Sequence, residues 1–175
     1  MSLGTFFLQR LAPLAALALA GCATTQRLAA AGDVHTLLVS IRDDDRATFD
    51  AHVDRRALEA QLQSRLVDRA AASNLAETWK GLGVLLSGPL SRAAGSLLLR
   101  PDVFRRVAEY YGYRLDAPIP NALALAAVLK ALPDGKVCAT RRRNGPCLVT
   151  FADEGGTWRL VRFDVDPATL ASKAR

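Results

Sequence analysis

Residues that carry catalytic and metal chemistry are scarce in this sequence. Its 175 residues include two histidines, two tryptophans and one methionine, and aromatic residues make up only 6%. With His35 and His52 as the only imidazoles, a nucleophile–base–acid site has few possible members. Cys and His residues nowhere follow the spacing of a zinc site, and no glycine-rich loop of the phosphate-binding type is present. We therefore expect no metal and no cofactor.

The sequence also lacks a segment in which positive charge is concentrated. The formal net charge is +6, and Lys and Arg are spread along the chain rather than gathered into one stripe. Nucleic-acid-binding proteins carry a dense basic patch, so nucleic acid is not an expected partner. The apolar stretch from Leu82 to Leu99 is broken by Gly88-Pro89 and contains Arg92, and both features argue against a membrane span.

The most informative segment is an apolar run near the N-terminus. Arg10 precedes Leu11 to Ala20, a core of about ten residues, whereas a bilayer span needs about twenty. This pattern predicts a secretory signal. The run ends in Leu19-Ala20-Gly21-Cys22, which resembles the lipobox of bacterial lipoproteins. The resemblance implies that Cys22 is linked to lipid and becomes the new N-terminus; the alternative is an ordinary signal peptide with a chance cysteine.

The same resemblance, together with the length and composition of the rest of the chain, implies boundaries and a location. Residues 1–21 are expected to be a signal peptide, residues 22–32 a small, polar tether, and residues 33–175 a single domain. Ala23 follows the cysteine where Asp commonly retains a lipoprotein in the inner membrane. The expected location is therefore the cell envelope, on the outer membrane and facing the periplasm, with the lipid anchor as the membrane contact.

The two remaining cysteines are predicted to form a disulfide. Cys138 and Cys147 flank a turn-like, arginine-rich stretch between two short apolar runs. An even number of cysteines in an oxidising compartment favours a bond between them. The alternative is two buried thiols on neighbouring strands.

Helical periodicity dominates the first part of the domain. Helix N-caps are expected at Asp33, Asp45, Asp54, Asp102 and Asn121, and further helices near Asn74 and at Ser87-Gly88-Pro89. The first of these helices has its apolar face at Val34, Leu37, Leu38 and Ile41. The last has its core positions at Leu125, Val128, Leu129 and Leu132.

Strand-like alternation follows the turn at Asp134-Gly135. Three strands are predicted: Val137 to Thr140, Leu148 to Phe151 and Thr157 to Val165. A short C-terminal helix is expected after Asp166-Pro167. The fold class is therefore α+β, a bundle of amphipathic helices followed by a three-stranded antiparallel meander and that helix.

Two stretches resemble a family of bacterial envelope proteins described only as a domain of unknown function. The helical one comprises Ile41 to Leu66, Ser87-Gly88-Pro89-Leu90 and Arg100-Pro101-Asp102. The other comprises Arg142-Arg143-Asn144-Gly145 and Thr157-Trp158-Arg159-Leu160. The chain departs from the family at Arg55-Arg56, where members often carry an aromatic residue and a proline. The order of elements is also similar to the cone-shaped folds related to nuclear transport factor two. The resemblance implies no catalytic residue.

Few side chains suggest chemistry. His52 could face a cleft with Asp50 or Asp54, as a small hydrolase requires, but a surface histidine explains the same pattern. Asp43-Asp44-Asp45 supplies oxygens of the kind that Ca²⁺ prefers, yet the spaced ligands and glycine of a calcium loop are missing. A helix break and cap is the favoured interpretation of these three aspartates.

The remaining candidates are binding surfaces. Five arginines are candidates for an anion-contacting surface, with solubility as the alternative: Arg141, Arg142, Arg143, Arg159 and Arg162. On the last strand, Val161, Phe163 and Val165 are expected to face the core, which leaves Trp158 and Leu160 to line a groove between meander and helices. The alternative is that more helix covers this second face as well, so that Trp158 belongs to the core. We therefore expect a non-catalytic binding or assembly module with an envelope protein or an apolar molecule as its partner. A periplasmic hydrolase and a carrier of lipids are the alternatives.

Overall fold

The computed structural model describes residues 5–72, 99–110, 114, 116–140, 142 and 145–164. Helices come first and a four-stranded antiparallel sheet follows, which confirms the α+β class. The helices are α1 Thr5–Asp43, α2 Arg46–Ala51, α3 Arg55–Ala72, α4 Pro101–Tyr110 and α5 Ala122–Val128. The strands are β1 Leu129–Ala131, β2 Val137–Thr140, β3 Cys147–Glu154 and β4 Thr157–Phe163.

Several predicted elements lie outside the described residues, namely the helices near Asn74 and Ser87 and the short C-terminal helix. Within the described part of the chain, no helix combines enough length with enough apolar character to act as a membrane span.

Helix α1 replaces the expected tether. Residues 22–32 are helical throughout, and Ala30 and Ala31 are fully buried, so the packed domain begins before Asp33. The physical reason is composition, because Ala, Leu, Gln and Arg in this stretch all favour helix. Asp33 therefore lies inside a helix rather than at its N-cap.

The other cap predictions have mixed outcomes. Asp45 accepts a hydrogen bond from the Thr48 N–H, and Asn121 accepts one from the Ala124 N–H, as N-caps do. The Asp54 carboxylate likewise accepts from the Ala57 N–H at 3.1 Å. Asp102 is a correction: helix α4 begins at Pro101, and the Arg100 carbonyl accepts the first backbone bonds, so Asp102 lies in the first turn.

The sheet has one strand more than predicted, because β1 was expected to be part of a helix. Helix α5 ends at Val128, whose side chain is 62% exposed, and Leu129 begins a strand that pairs with β2. A turn makes this pairing possible: the Leu132 N–H donates to the Lys136 carbonyl at 2.8 Å, and Gly135 adopts a φ of +81°. A left-handed conformation of this kind suits glycine. Tertiary pairing thus overrides the helical spacing of Leu129 and Leu132.

The predicted disulfide is present between β2 and β3. Cys138 and Cys147 are bonded, with 5.6 Å between their Cα atoms. Cys138 is fully buried on the sheet. Closing a loop of about ten residues contributes roughly 2–3 kcal/mol on the chain-entropy model.

A β-bulge in β4 corrects the predicted strand faces. Thr150 pairs with Arg162 and Phe151 pairs with Leu160, so Val161 is an extra residue without a partner. One extra residue reverses the alternation beyond it. Phe163 consequently lies on the same face as Leu160, not on the opposite one.

The outer edge of β4 is hydrogen-bonded by the helical part of the chain. Leu160 donates to the His52 carbonyl at 2.9 Å and accepts from the Asp54 N–H at 3.0 Å. The Gln61 side chain of α3 accepts from the Phe163 N–H at 2.9 Å and donates to its carbonyl at 3.1 Å. Asp33 of α1 accepts from the Trp158 N–H at 2.7 Å. An exposed strand edge is a site of unwanted pairing, and these bonds close it.

We predict that Asp33→Ala destabilises the domain by about 1–3 kcal/mol, because it leaves the half-buried Trp158 N–H without its acceptor. Asp33→Asn keeps an acceptor oxygen and is expected to lose less. Chemical unfolding of the two variants measures the difference. An alanine variant as stable as the wild type would contradict the edge role of Asp33.

Candidate functional site

An apolar cavity of about 570 Å³ lies between the sheet and helices α1 and α4. This volume is in the range of small-molecule sites, about 300–1,000 Å³. Helix α1 supplies one wall through the apolar stripe predicted from its spacing: Val34, Leu37, Leu38 and Ile41. Helix α4 supplies another through Phe104, Val107 and Ala108.

The inner face of the sheet forms the floor of the cavity. Val149, Phe151, Leu160 and Phe163 all line it. The bulge at Val161 is what brings Phe163 inside, where its ring packs edge-on against Phe104 with centroids 5.7 Å apart. Phe104 in turn packs against the fully buried Phe49 at 5.2 Å. Such edge-to-face pairs fix ring positions, so the cavity has a defined wall.

Four polar side chains also line the cavity: Arg42, Arg105, Thr140 and Asp164. Arg42 donates through Nε and Nη2 to the two oxygens of the Asp43 carboxylate, at 2.6 and 2.9 Å. Asp164 accepts from Arg65, Arg162 and Gln61. Arg105, which is half-buried, has no ion pair with any described residue.

The two residues that were predicted to line a groove differ in their contact with the cavity. Leu160 is only 2% exposed to solvent and lines the cavity. Trp158 is 6% exposed, belongs to the hydrophobic core and is not a lining residue, so the expectation for it is corrected. Both side chains lie on the inner face, because the bulge comes after them in β4.

Two of the three described members of the predicted arginine cluster, Arg159 and Arg162, are paired with carboxylates. Arg159 lies 3.3 Å from Glu154, and Arg162 donates to Asp164. The hydrogen bond to Asp164 raises the pKa of Arg162. Arg142 is exposed, while Arg141 and Arg143 lie outside the described residues. Arg159 and Arg162 thus already have anionic partners, although Arg162 shares Asp164 with Arg65.

His52 has a carboxylate partner, but not the expected one. Its Nε2 lies 3.5 Å from Asp33 Oδ1, rather than near Asp50 or Asp54, and its Nδ1 lies 2.8 Å from the Thr48 carbonyl. Among the described residues, neither ring nitrogen contacts a hydroxyl or a thiol. The geometry therefore lacks the nucleophile of a hydrolytic triad there.

The three consecutive aspartates serve as a helix break and cap. Asp44 has a φ of +57°, Asp45 caps α2, and Asp43 pairs with Arg42. No group of three or more possible metal ligands occurs among the residues that the structure describes.

Glu154 and Asp54 form a carboxylate pair beside β4. Burial raises the pKa of Glu154, and the neighbouring Asp54 charge and hydrogen bond raise it further, whereas Arg159 opposes the change. A raised folded-state pKa means that the contribution to stability is fully present below the ordinary value of 4.5 and is lost as pH rises through the folded value. At neutral pH the raised pKa of Glu154 therefore corresponds to a lower stability of the folded state.

We predict that Glu154→Gln raises the melting temperature at neutral pH, because it removes a negative charge beside Asp54. The gain should shrink to nothing below about pH 4.5, where Glu154 is protonated in both states. Glu109→Gln, at an exposed position on α4, is the matched control and should show no such pH dependence. A Glu154→Gln effect that is the same at all pH values would contradict the pairing.

Comparison with known proteins adds no relative. The chain matches no protein-family model, no curated protein and no solved structure. The resemblances of its N-terminus to lipoproteins and of its domain to an envelope family therefore stay predictions.

Sequence reasoning missed part of the cavity lining. Arg105 and Ala108 of helix α4 were not singled out from the sequence, although both line the cavity. A polar residue next to an inward-facing aromatic residue is the available signal for Arg105. Phe163 packs against the core as expected, but it shares its face with Leu160, because a bulge leaves no mark in the alternation of a seven-residue strand.

Proposed function

We propose that this chain is a lipid-anchored protein of the cell envelope whose domain binds an apolar molecule in the cavity between the sheet and helices α1 and α4. The observation that carries the proposal is the cavity itself: about 570 Å³ of space with an almost wholly apolar lining. A domain of this size normally fills its interior to high density. Space of this size and lining suits a small apolar ligand better than it suits a catalytic centre.

The lipid anchor rests on the N-terminal pattern. Leu19-Ala20-Gly21-Cys22 closes an apolar run of signal length. Each buried acyl CH₂ contributes about 0.8 kcal/mol, so several chains on one cysteine hold the protein firmly. Ala23 favours delivery to the outer membrane.

The continuous helix α1 supports a short distance between the lipid anchor and the packed domain. Gln26, four residues after Cys22, donates through its side-chain amide to the Gly135 carbonyl in the β1–β2 turn. Four helical residues rise about 6 Å. The domain of the anchored protein would therefore sit directly at the membrane surface, which suits uptake of an apolar molecule from the lipid phase.

We predict that Cys22→Ser abolishes incorporation of labelled palmitate, since the thiol that carries the lipid is gone. Ala23→Asp is the matched control: it should label normally and move from outer- to inner-membrane fractions. Equal labelling of the wild type and Cys22→Ser would end the lipoprotein hypothesis.

We further predict that Ala108→Leu lowers ligand capture about tenfold or more, because its side chain occupies cavity space. The full chain in phosphatidylcholine vesicles would be exposed to a photoreactive, alkyne-tagged hexadecanol, and saturable crosslinking would be measured. Ala127→Leu, at an exposed position on α5 that does not line the cavity, is the control. Crosslinking that does not saturate, or that both variants leave unchanged, counts against the cavity as a binding site.

A further inference from the structure

Arg105 is the described cation at the cavity that lacks an anionic partner. Helix α4 places it directly after Phe104, whose ring forms part of the apolar wall, and Arg105 itself lines the same cavity. It is half-buried, whereas its neighbour Arg106 is exposed and is not a lining residue.

The other charged residues that line the cavity each have a partner of opposite charge. Arg42 is bound by both oxygens of Asp43, and Asp164 accepts from Arg65 and Arg162. Among the described residues that line the cavity, Arg105 is therefore the charged one without an oppositely charged partner, and an apolar ligand that fills the cavity would meet it. Removing an unpaired cation from water is costly unless the incoming molecule supplies an anion.

Guanidinium is well suited to that anion. It presents several N–H donors in one plane and binds carboxylate or phosphate oxygens through paired, charge-assisted hydrogen bonds. A neutral hydroxyl head would gain no comparable contact. Charge complementarity therefore favours a ligand that is apolar along its length and anionic at one end.

Building on the proposed function, we propose that the cavity takes the single hydrocarbon chain of an anionic amphiphile and that Arg105 binds its carboxylate or phosphate head. Arg105 is then the residue that selects the head group, while the apolar walls hold the chain.

The test compares photoreactive palmitate with the photoreactive hexadecanol of equal chain length. The full chain in phosphatidylcholine vesicles is used at about pH 8, so that the carboxylate is charged. We expect palmitate to reach half-saturation at a concentration about tenfold lower than the alcohol, the usual scale of a charged hydrogen bond. Arg105→Gln should remove this advantage and leave capture of the alcohol unchanged. Arg106→Gln should change neither.

A monohexadecyl phosphate probe separates the two head groups, because a preference for it over palmitate identifies phosphate as the recognised anion. Equal half-saturation of palmitate, phosphate and alcohol on the wild type would overturn the role of Arg105 while leaving the cavity as an apolar site. Equal losses in Arg105→Gln and Arg106→Gln would also overturn it, since the effect would then be general surface charge. Failure of all three probes to saturate would remove the proposed function as well.

Discussion

The hydrogen-bonded outer edge of β4 is the constraint on which the arrangement of this domain depends. Two helices and one connecting segment reach that edge: Asp33 from α1, Gln61 from α3, and residues 52–54 between α2 and α3. Each buried backbone group needs a partner, so these contacts fix where the helices lie against the sheet. Helix α1 is thereby held with its apolar stripe towards the inner face.

Two local features then shape the cavity between the sheet and the helices. The bulge at Val161 turns Phe163 inward, where its ring packs against Phe104 of α4. The small side chains Ala108 and Ala139 line the space without filling it. A helix–sheet sandwich with larger residues there would close, whereas this one keeps a cavity of about 570 Å³.

Most features set by neighbours in sequence were predictable, the cap at Asp102 being an exception, whereas features set by distant contacts were not. The caps at Asp45, Asp54 and Asn121, the stripe on α1 and the Cys138–Cys147 disulfide follow from short spacing and were predicted. The buried role of Ala30 and Ala31 depends on packing partners far along the chain, so a small, polar stretch looked like a tether. Strand β1 exists because Leu129 to Ala131 pairs with β2, against its helical spacing. A groove between the meander and the helices was one of the expectations from the sequence. Which residues line the cavity there depends on the bulge at Val161.

The most direct measurement of the central claim uses the two isoleucines of the chain. Ile41 and Ile119 are the only ones in the sequence, and both line the cavity. Selective labelling of their δ1 methyl groups in the full chain in phosphatidylcholine nanodiscs would give two reporter signals by NMR. Titration with palmitate should shift both signals saturably, and a palmitate spin-labelled at its chain terminus should broaden at least one. Two sharp signals that stay in place throughout the titration of the folded protein would contradict the account.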